Sequence, residues 1–394
     1  MNQMMGYLIR SNRMKQKMSQ EQLCKGVCAV SYLSKIEAGI AEPNDEIIRQ
    51  LFERLEIEYT SDPGEIEDFR NYLFQYFDAF FHHESTVEME ERIYKNRKKM
   101  ENSEISIEYQ LFCIYNAGVD DKRVAERLLK NVELYRDYMS EDALFLYYMA
   151  KGMYGQTVQE RTRAYQKARQ VRDCSLVYEA LMYEAFNEGE YQEALNHCRI
   201  GYERAMQEGF LLVAKQISFL EGVCYGNQGN IDGMLKAYRR TKELSRGDKR
   251  IAASIDYNIA TVYIEQNRHK EAIPYLLAAL KQEQEEKSAF LINHKLAMAY
   301  EMMGEKQLGH VYLAMAGKLS VGLSSIYQDM VKMARIRYEE DYMNSEEYET
   351  LLFSFGNMEK SMGIDFVKFY KPYMVEWLKA KRKYKEALRL VEEV

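Results

Sequence analysis

The sequence predicts an all-α protein with a small helix-turn-helix head and a long body of paired helices. Three observations lead there. Only four prolines occur in 394 residues, and stretches rich in Glu, Lys, Leu, Ala, Met and Tyr keep helical spacing almost throughout. Residues 5–57 hold two short helices around a glycine-containing turn. Beyond residue 100, turn residues recur at intervals of 34 to 40 residues, a period that belongs to stacked helix pairs.

The head is legible residue by residue. Ser19 is a good N-cap, with Glu21 and Gln22 in the first turn behind it. Leu23 and Cys24 supply a small apolar face, and Lys25-Gly26 ends the helix. A second helix follows, in which Leu33 and Ile36 are three apart and face inward. Gly39 then falls where a left-handed cap has no room for a side chain. Two such helices, the second turned outward, fit a major groove. Charge agrees with this: residues 1–41 hold six basic side chains against Glu21 and Glu37, a net of +4 that leaves −11 for the remainder. A basic head on an acidic body suits contact with phosphate at one end only and argues against general coating of nucleic acid.

A turn cluster at Thr60-Ser-Asp-Pro-Gly64 marks the first boundary. The expected domains are 1–60 for the head, 61–100 for an aromatic-rich helical linker, and 101–394 for the repeats. The linker holds Phe69, Tyr72, Phe74, Tyr76, Phe77, Phe80 and Phe81, too many rings to be solvated. They are expected to pack on the first repeats or to share in a dimer surface. The repeat turns are placed at Gly118, Gly155, Gly189, Gly229, Asn267, Gly304, near Asn344 and near Arg382. In the best copies, Ile259-Ala260-x-x-Tyr263 leads to Asn267 and Lys270-Glu-Ala272, Gly222-x-x-Tyr225 leads to Gly229, and Leu296-Ala297-x-x-Tyr300 leads to Gly304. Small residues let paired helices approach, and the tyrosine fills the space between them. Pro274 falls inside a second helix and should bend it.

Several function classes lack a signal. The sequence carries no Gly-rich phosphate loop, no H-E-x-x-H and no nucleophile elbow, so no enzyme, metal or cofactor is expected. His82-His83 is adjacent in sequence, and on a helix the two side chains diverge. Six cysteines without a C-x-x-C pair point to a reducing, cytoplasmic setting. No apolar run approaches the roughly 18 residues of a membrane span.

The frame from Gly6-Tyr-Leu-Ile-Arg10 through Ser19-Gln20 and Leu33-Ser-Lys-Ile-Glu-Ala-Gly39 to Pro43 resembles the lambda-repressor-like (XRE) DNA-binding domain. The repeats resemble tetratricopeptide repeats, so the body is expected to form a tetratricopeptide-like α-solenoid. Together, head and repeats resemble the Rgg/PlcR/PrgX group of peptide-pheromone-responsive regulators of Gram-positive bacteria, motif by motif over about residues 5–57 and 180–316. This resemblance implies a homodimeric quorum-sensing transcriptional regulator that binds double-stranded operator DNA and is switched by a short signalling peptide. Two alternatives stay open: repeats that bind a partner protein, and a scaffold or adaptor that does not bind DNA.

Site residues follow from these readings. The exposed face of the second head helix offers Val30, Ser31, Tyr32, Ser34 and Lys35. Ser31 and Tyr32 are suited to polar base contacts, Ala29 and Val30 to a thymine methyl, and Gln20 and Lys35 to phosphate. By resemblance, Arg10 and Glu37 form an ion pair tying the first helix to the recognition helix. The inner face of the repeats offers Tyr183, Phe186 and Asn187, then Gln216, Val223 and Asn227. Tyr257, Asn258, Thr261 and Glu265 follow, and then His294, Met298 and Glu301. Amides at several levels suit a peptide backbone, because one Asn can donate and accept at once, and Glu265 and Glu301 suggest a basic ligand. Dimerisation is expected through the 65–100 aromatics and the region of Phe353, Phe366, Tyr370 and Trp377.

Overall fold

The computed structural model describes residues 2–282, 285–358 and 364–392, and every regular element in it is helical. The chain packs as two compact units, Met1–Val213 and Ala214–Val394. This division falls inside the repeat array, so the head shares one unit with the first repeats.

In the first unit the head comprises α1 (Asn2–Lys15), α2 (Gln20–Cys24), α3 (Val30–Glu37) and α4 (Asp45–Arg54). Ser19 and Gln22 form a reciprocal capping box at the start of α2, the arrangement that pairs two otherwise unmet backbone donors. Asn44 caps α4 by accepting from the Ile47 amide at 2.9 Å. Gly6 is where α1 crosses α3: a Cβ there would lie 1.9 Å from the Ile36 carbonyl oxygen. Leu23, Leu33, Ile36, Leu51 and Phe52 are all fully enclosed beneath.

Asp62 caps the next helix, α5 (Pro63–Phe81), with proline in the first turn, where its missing N–H costs nothing. Phe69, Tyr76 and Phe77 of α5 are buried. Short helices α6 (Val87–Lys95) and α7 (Arg97–Glu101) lead to the pairs α8 (Ser106–Asp120) with α9 (Lys122–Glu133), α10 (Glu141–Tyr154) with α11 (Val158–Val171), and α12 (Ser175–Asn187) with α13 (Tyr191–Glu208). The α5 rings pack edge-on against Phe112 and Tyr115 of α8. Phe74 alone among them stands 70% exposed. Packing on the first repeat therefore takes most of the linker aromatics.

The array continues with α14 (Leu211–Asn227) and α15 (Ile231–Leu244), α16 (Lys249–Glu265) and α17 (His269–Gln282), α18 (Glu286–Met302) and α19 (Lys306–Ser320), α20 (Ser325–Arg337) and α21 (Glu346–Gly356), and α22 (Ile364–Ala380) and α23 (Tyr384–Glu392). Predicted turns at Gly189, Gly229 and Gly304 have φ between +70° and +79°, and Asn267 takes +56°, the left-handed region these residue types tolerate. Gly118 differs. It lies inside α8, where a Cβ would strike the Tyr154 ring at 2.2 Å, and Asp121 marks the turn instead. The glycine is required there by helix approach and not by a turn. The same device recurs at Gly222, which faces the Tyr238 ring, and at Gly233, which faces Tyr225. Helix α17 continues through Pro274.

Candidate functional site

The head is locked internally and open outward. Glu37, the last residue of α3, is 3% exposed at its side chain and receives both Nε and Nη2 of Arg13, at 2.6 and 2.9 Å. Arg13 is therefore the partner that resemblance assigned to Arg10, which is exposed. Both arginines lie on nearly the same face of α1, three residues apart, and only the later turn is carried under the end of α3. Arg13 also donates to the Met18 carbonyl at 2.8 Å, and Gln20 Nε2 donates to Glu37 Oε2 at 2.8 Å. The Gln20 amide group is thus part of the clamp. One acid holds α1, α2 and α3 together.

What remains outside is the α3 face. Val30, Ser31, Ser34 and Lys35 are exposed, and none of their side chains has a polar partner among the described residues. Tyr32 is half-buried, its hydroxyl donating to the Glu42 carbonyl at 3.1 Å. That contact braces the segment after α3 and takes up the hydroxyl's proton. Arg10, Lys15, Lys17 and Lys25 are also exposed, so of the six basic residues in 1–41 only Arg13 forms an ion pair among the described residues.

The repeat residues separate into three kinds. Tyr183 and Asn187 sit on α12 of the first unit, both exposed. In the second unit Gln216, Asn227, Tyr257, Asn258, Thr261 and Glu265 are half-buried. The Gln216 amide oxygen is enclosed and accepts no hydrogen bond among the described residues. Asn227 accepts from Lys368 of α22 at 3.1 Å. Asn258 instead turns sideways and donates to the Tyr238 hydroxyl of the neighbouring repeat at 3.2 Å, and Thr261 donates to the Tyr257 carbonyl one turn back.

The third kind is enclosed. His294 and Met298 are 1% and 0% exposed. The expectation that they stand open on the inner face is corrected: both are enclosed, and α22 lies against His294 through Phe369 and Tyr370. His294 sits among Phe290, Phe369 and Tyr370, and burial, with Lys295 beside it, pushes its imidazole down to about 3. Lys295 itself lies over the rings of Tyr257 and Phe369, its Nζ 5.3 and 4.1 Å from their centroids. Glu301 pairs with Arg337 at 2.9 Å. Arg337 is 1% exposed and also holds Glu376 of α22 and the Tyr348 hydroxyl, both at 2.8 Å. Burial holds the Glu301 carboxyl above its usual range, with Arg337 opposing. Glu301 is accordingly an internal anion, not a free charge waiting for a basic ligand. Tyr370 and Trp377, expected at a dimer contact, are buried within the second unit. Among the described residues no group of His, Cys, Asp or Glu could hold a metal ion, and no helix is long and apolar enough to cross a membrane.

With this geometry in place, the similarities are specific. Residues 9–60 match the helix-turn-helix family model. The head is a helix-turn-helix domain of the XRE type. Over 387 residues the chain is 20% identical to the transcriptional activator NprA of Geobacillus stearothermophilus, covering 94% of this chain and 92% of that one. The fold resembles the apo quorum sensor NprR of B. thuringiensis, with TM-score 0.64 and 14% identity over 83% of this chain and 97% of NprR. NprR in complex with its cognate peptide NprX has TM-score 0.54 at 16% identity, covering 83% and 99%. Apo RapI has TM-score 0.68 at 13% identity, covering 82% and 96%. The chain is thus similar to repeat-bearing regulators with a helix-turn-helix domain, and its helical body has the fold of NprR and RapI.

Sequence reasoning passed over Arg13, Lys368, Arg337 and Glu376. For Arg13 a signal existed, since it lies three residues from Arg10 and one helical turn decides between them. Lys368, Arg337 and Glu376 had none: Lys368 lies 141 residues from its partner Asn227, and Arg337 lies 36 and 39 residues from Glu301 and Glu376.

Proposed function

We propose that this protein is a transcriptional regulator that binds operator DNA through α3 of its helix-turn-helix domain and is switched by a short peptide bound to its repeats. The observation that carries the DNA half is the division of the head into a locked underside, Arg13–Glu37–Gln20, and an outward face without internal partners, Val30, Ser31, Ser34 and Lys35. Ser31 and Ser34 can donate to or accept from base edges, Val30 can cover a thymine methyl, and Lys35 can neutralise a phosphate. One such helix reads only a few bases, so a homodimer on two half-sites belongs to the proposal.

For the peptide half, support comes from the NprR–NprX complex of like fold and from the half-buried polar residues Gln216, Asn227, Tyr257 and Glu265. A peptide that takes the Asn227 amide oxygen in place of Lys368 would loosen α22. That gives the ligand a difference between two states of the protein to act on.

Selection of duplexes from fragmented genomic DNA, followed by titration of the best duplex with and without peptides encoded beside the gene, tests both halves. The expected result is a specific duplex bound at about 0.15 M salt with an affinity that one such peptide changes. Binding no tighter than to random duplexes would overturn the DNA half. Specific binding indifferent to every candidate peptide would overturn the peptide half.

A further inference from the structure

A cleft of about 880 Å³ lies within the first unit, and no residue of α3 lines it. Its floor is apolar: Leu73, Phe77 and Phe81 of α5, Phe145 and Leu146 of α10, and Phe210 beyond α13. Its volume falls in the range of pockets that enclose a small organic ligand, and such pockets combine apolar walls with a few fixed polar groups. Five carboxylates line it, Asp78, Glu108, Asp142, Asp173 and Glu208, against two guanidinium groups, Arg70 and Arg172.

Most of these charges are already satisfied. Arg172 pairs with Asp142 and lies over the Phe145 ring, its Cζ 4.6 Å from the centroid. Arg70 pairs with Glu104 and Glu67. Arg204 takes Asp173, and Glu208 accepts from the Ser175 amide and hydroxyl. Asp78 lies 3.5 Å from His82. Glu108 differs from all of them: no other side chain donates a hydrogen bond to it among the described residues. Burial pushes its carboxyl above the usual range, its own backbone amide and Arg70 pulling it part of the way back. A half-buried acid beside an aromatic floor is a carboxyl group short of a hydrogen-bond partner.

We propose that this cleft is a binding site for a small apolar amine, an aromatic or branched aliphatic body on the phenylalanine floor with one protonated nitrogen donating to Glu108. Both guanidinium groups are held by acids, so an anionic ligand would meet only the uncompensated carboxylate. A neutral apolar ligand would leave that carboxylate buried deeper and still unpaired, which is costly. The ammonium ion is the class that removes the cost. Only residues 55–62 separate α4 from α5, so such a ligand would touch the helix that carries the chain out of the head.

Calorimetric titration of the full chain with 2-(1-naphthyl)ethylammonium and with its neutral isostere 2-(1-naphthyl)ethanol at neutral pH tests this. The ammonium should bind about tenfold more tightly or better, corresponding to about 1.4 kcal/mol. Glu108→Gln should reduce the ratio to within about twofold while leaving the affinity of the alcohol in place. Asn71→Trp, an exposed change on α5 at the cleft mouth, should weaken both probes, and thermal melting of both variants checks that the fold is retained. Equal affinities of the two probes in the wild type would overturn the proposal. So would a preference that survives Glu108→Gln, or an absence of binding by either probe.

Discussion

Replacing Glu37 with glutamine should unfasten the helix-turn-helix domain without touching its outward face. Glu37 is 3% exposed and Arg13 13%, so this pair lies close to the buried limit. A surface ion pair contributes about 0–1 kcal/mol, whereas removing one partner of a buried pair costs about 3–5 kcal/mol because the other charge is stranded. Arg13 keeps its bond to the Met18 carbonyl and a little solvent, and the substituted amide would still offer one acceptor oxygen. Between these limits the cost comes to about 2–4 kcal/mol. Local opening of the head then becomes about 30- to 1000-fold more frequent, since about 1.4 kcal/mol is a factor of ten. Amide hydrogen exchange in the full chain reads this directly over residues 29–38, where Leu33 and Ile36 are otherwise fully buried. Arg10→Ala should leave exchange there within about 0.5 kcal/mol of wild type, as an exposed side chain without a partner does. The reasoning fails if Glu37→Gln exchanges normally over α3, or if Arg10→Ala loosens it as much as Glu37→Gln does.

Three further outcomes are expected. Lys35→Ala should weaken binding to specific and random duplexes alike and lower the slope of log K against log salt by about 0.9; an unchanged slope would remove Lys35 from the phosphate backbone. His294 has a native pKa pushed down to about 3, below the ordinary value of about 6.5, so the unfolded chain takes up a proton that the native protein refuses. Its contribution to stability is therefore whole above about pH 6.5 and is lost as pH falls, at about 1.4 kcal/mol per pH unit. Urea midpoints measured between about pH 7 and pH 5 should fall less steeply for His294→Phe, and identical slopes would refute the burial argument. Gly6→Ala places a methyl carbon on the Ile36 carbonyl and should destabilise the head by about 1–3 kcal/mol, seen as faster exchange over the same α3 residues. A neutral Gly6→Ala would mean that α1 and α3 have room to part.

Features set by neighbouring residues were legible along the chain. Capping at Ser19, the left-handed turns at Gly189, Gly229, Asn267 and Gly304, and the apolar spacing of Leu33 and Ile36 act over a few residues, so all-helical class, head and repeat phase could be read from them. Gly118 shows the limit of that reading, because a glycine kept for a turn and one kept for a neighbouring tyrosine look alike in sequence. Which face is open depended on packing between distant segments. Arg13 and not Arg10 reaches Glu37 because α1 crosses α3 at Gly6, fixing which turn passes beneath. Helix α22 packs Phe369 and Tyr370 on His294 and engages Asn227 from 141 residues away, and the Glu108 cleft is assembled from several helices of the first unit. Periodicity states which side of a helix faces inward. Only the packed chain decides what lies against that side, because such contacts are set by loop closure and side-chain fit over distances that no local preference encodes.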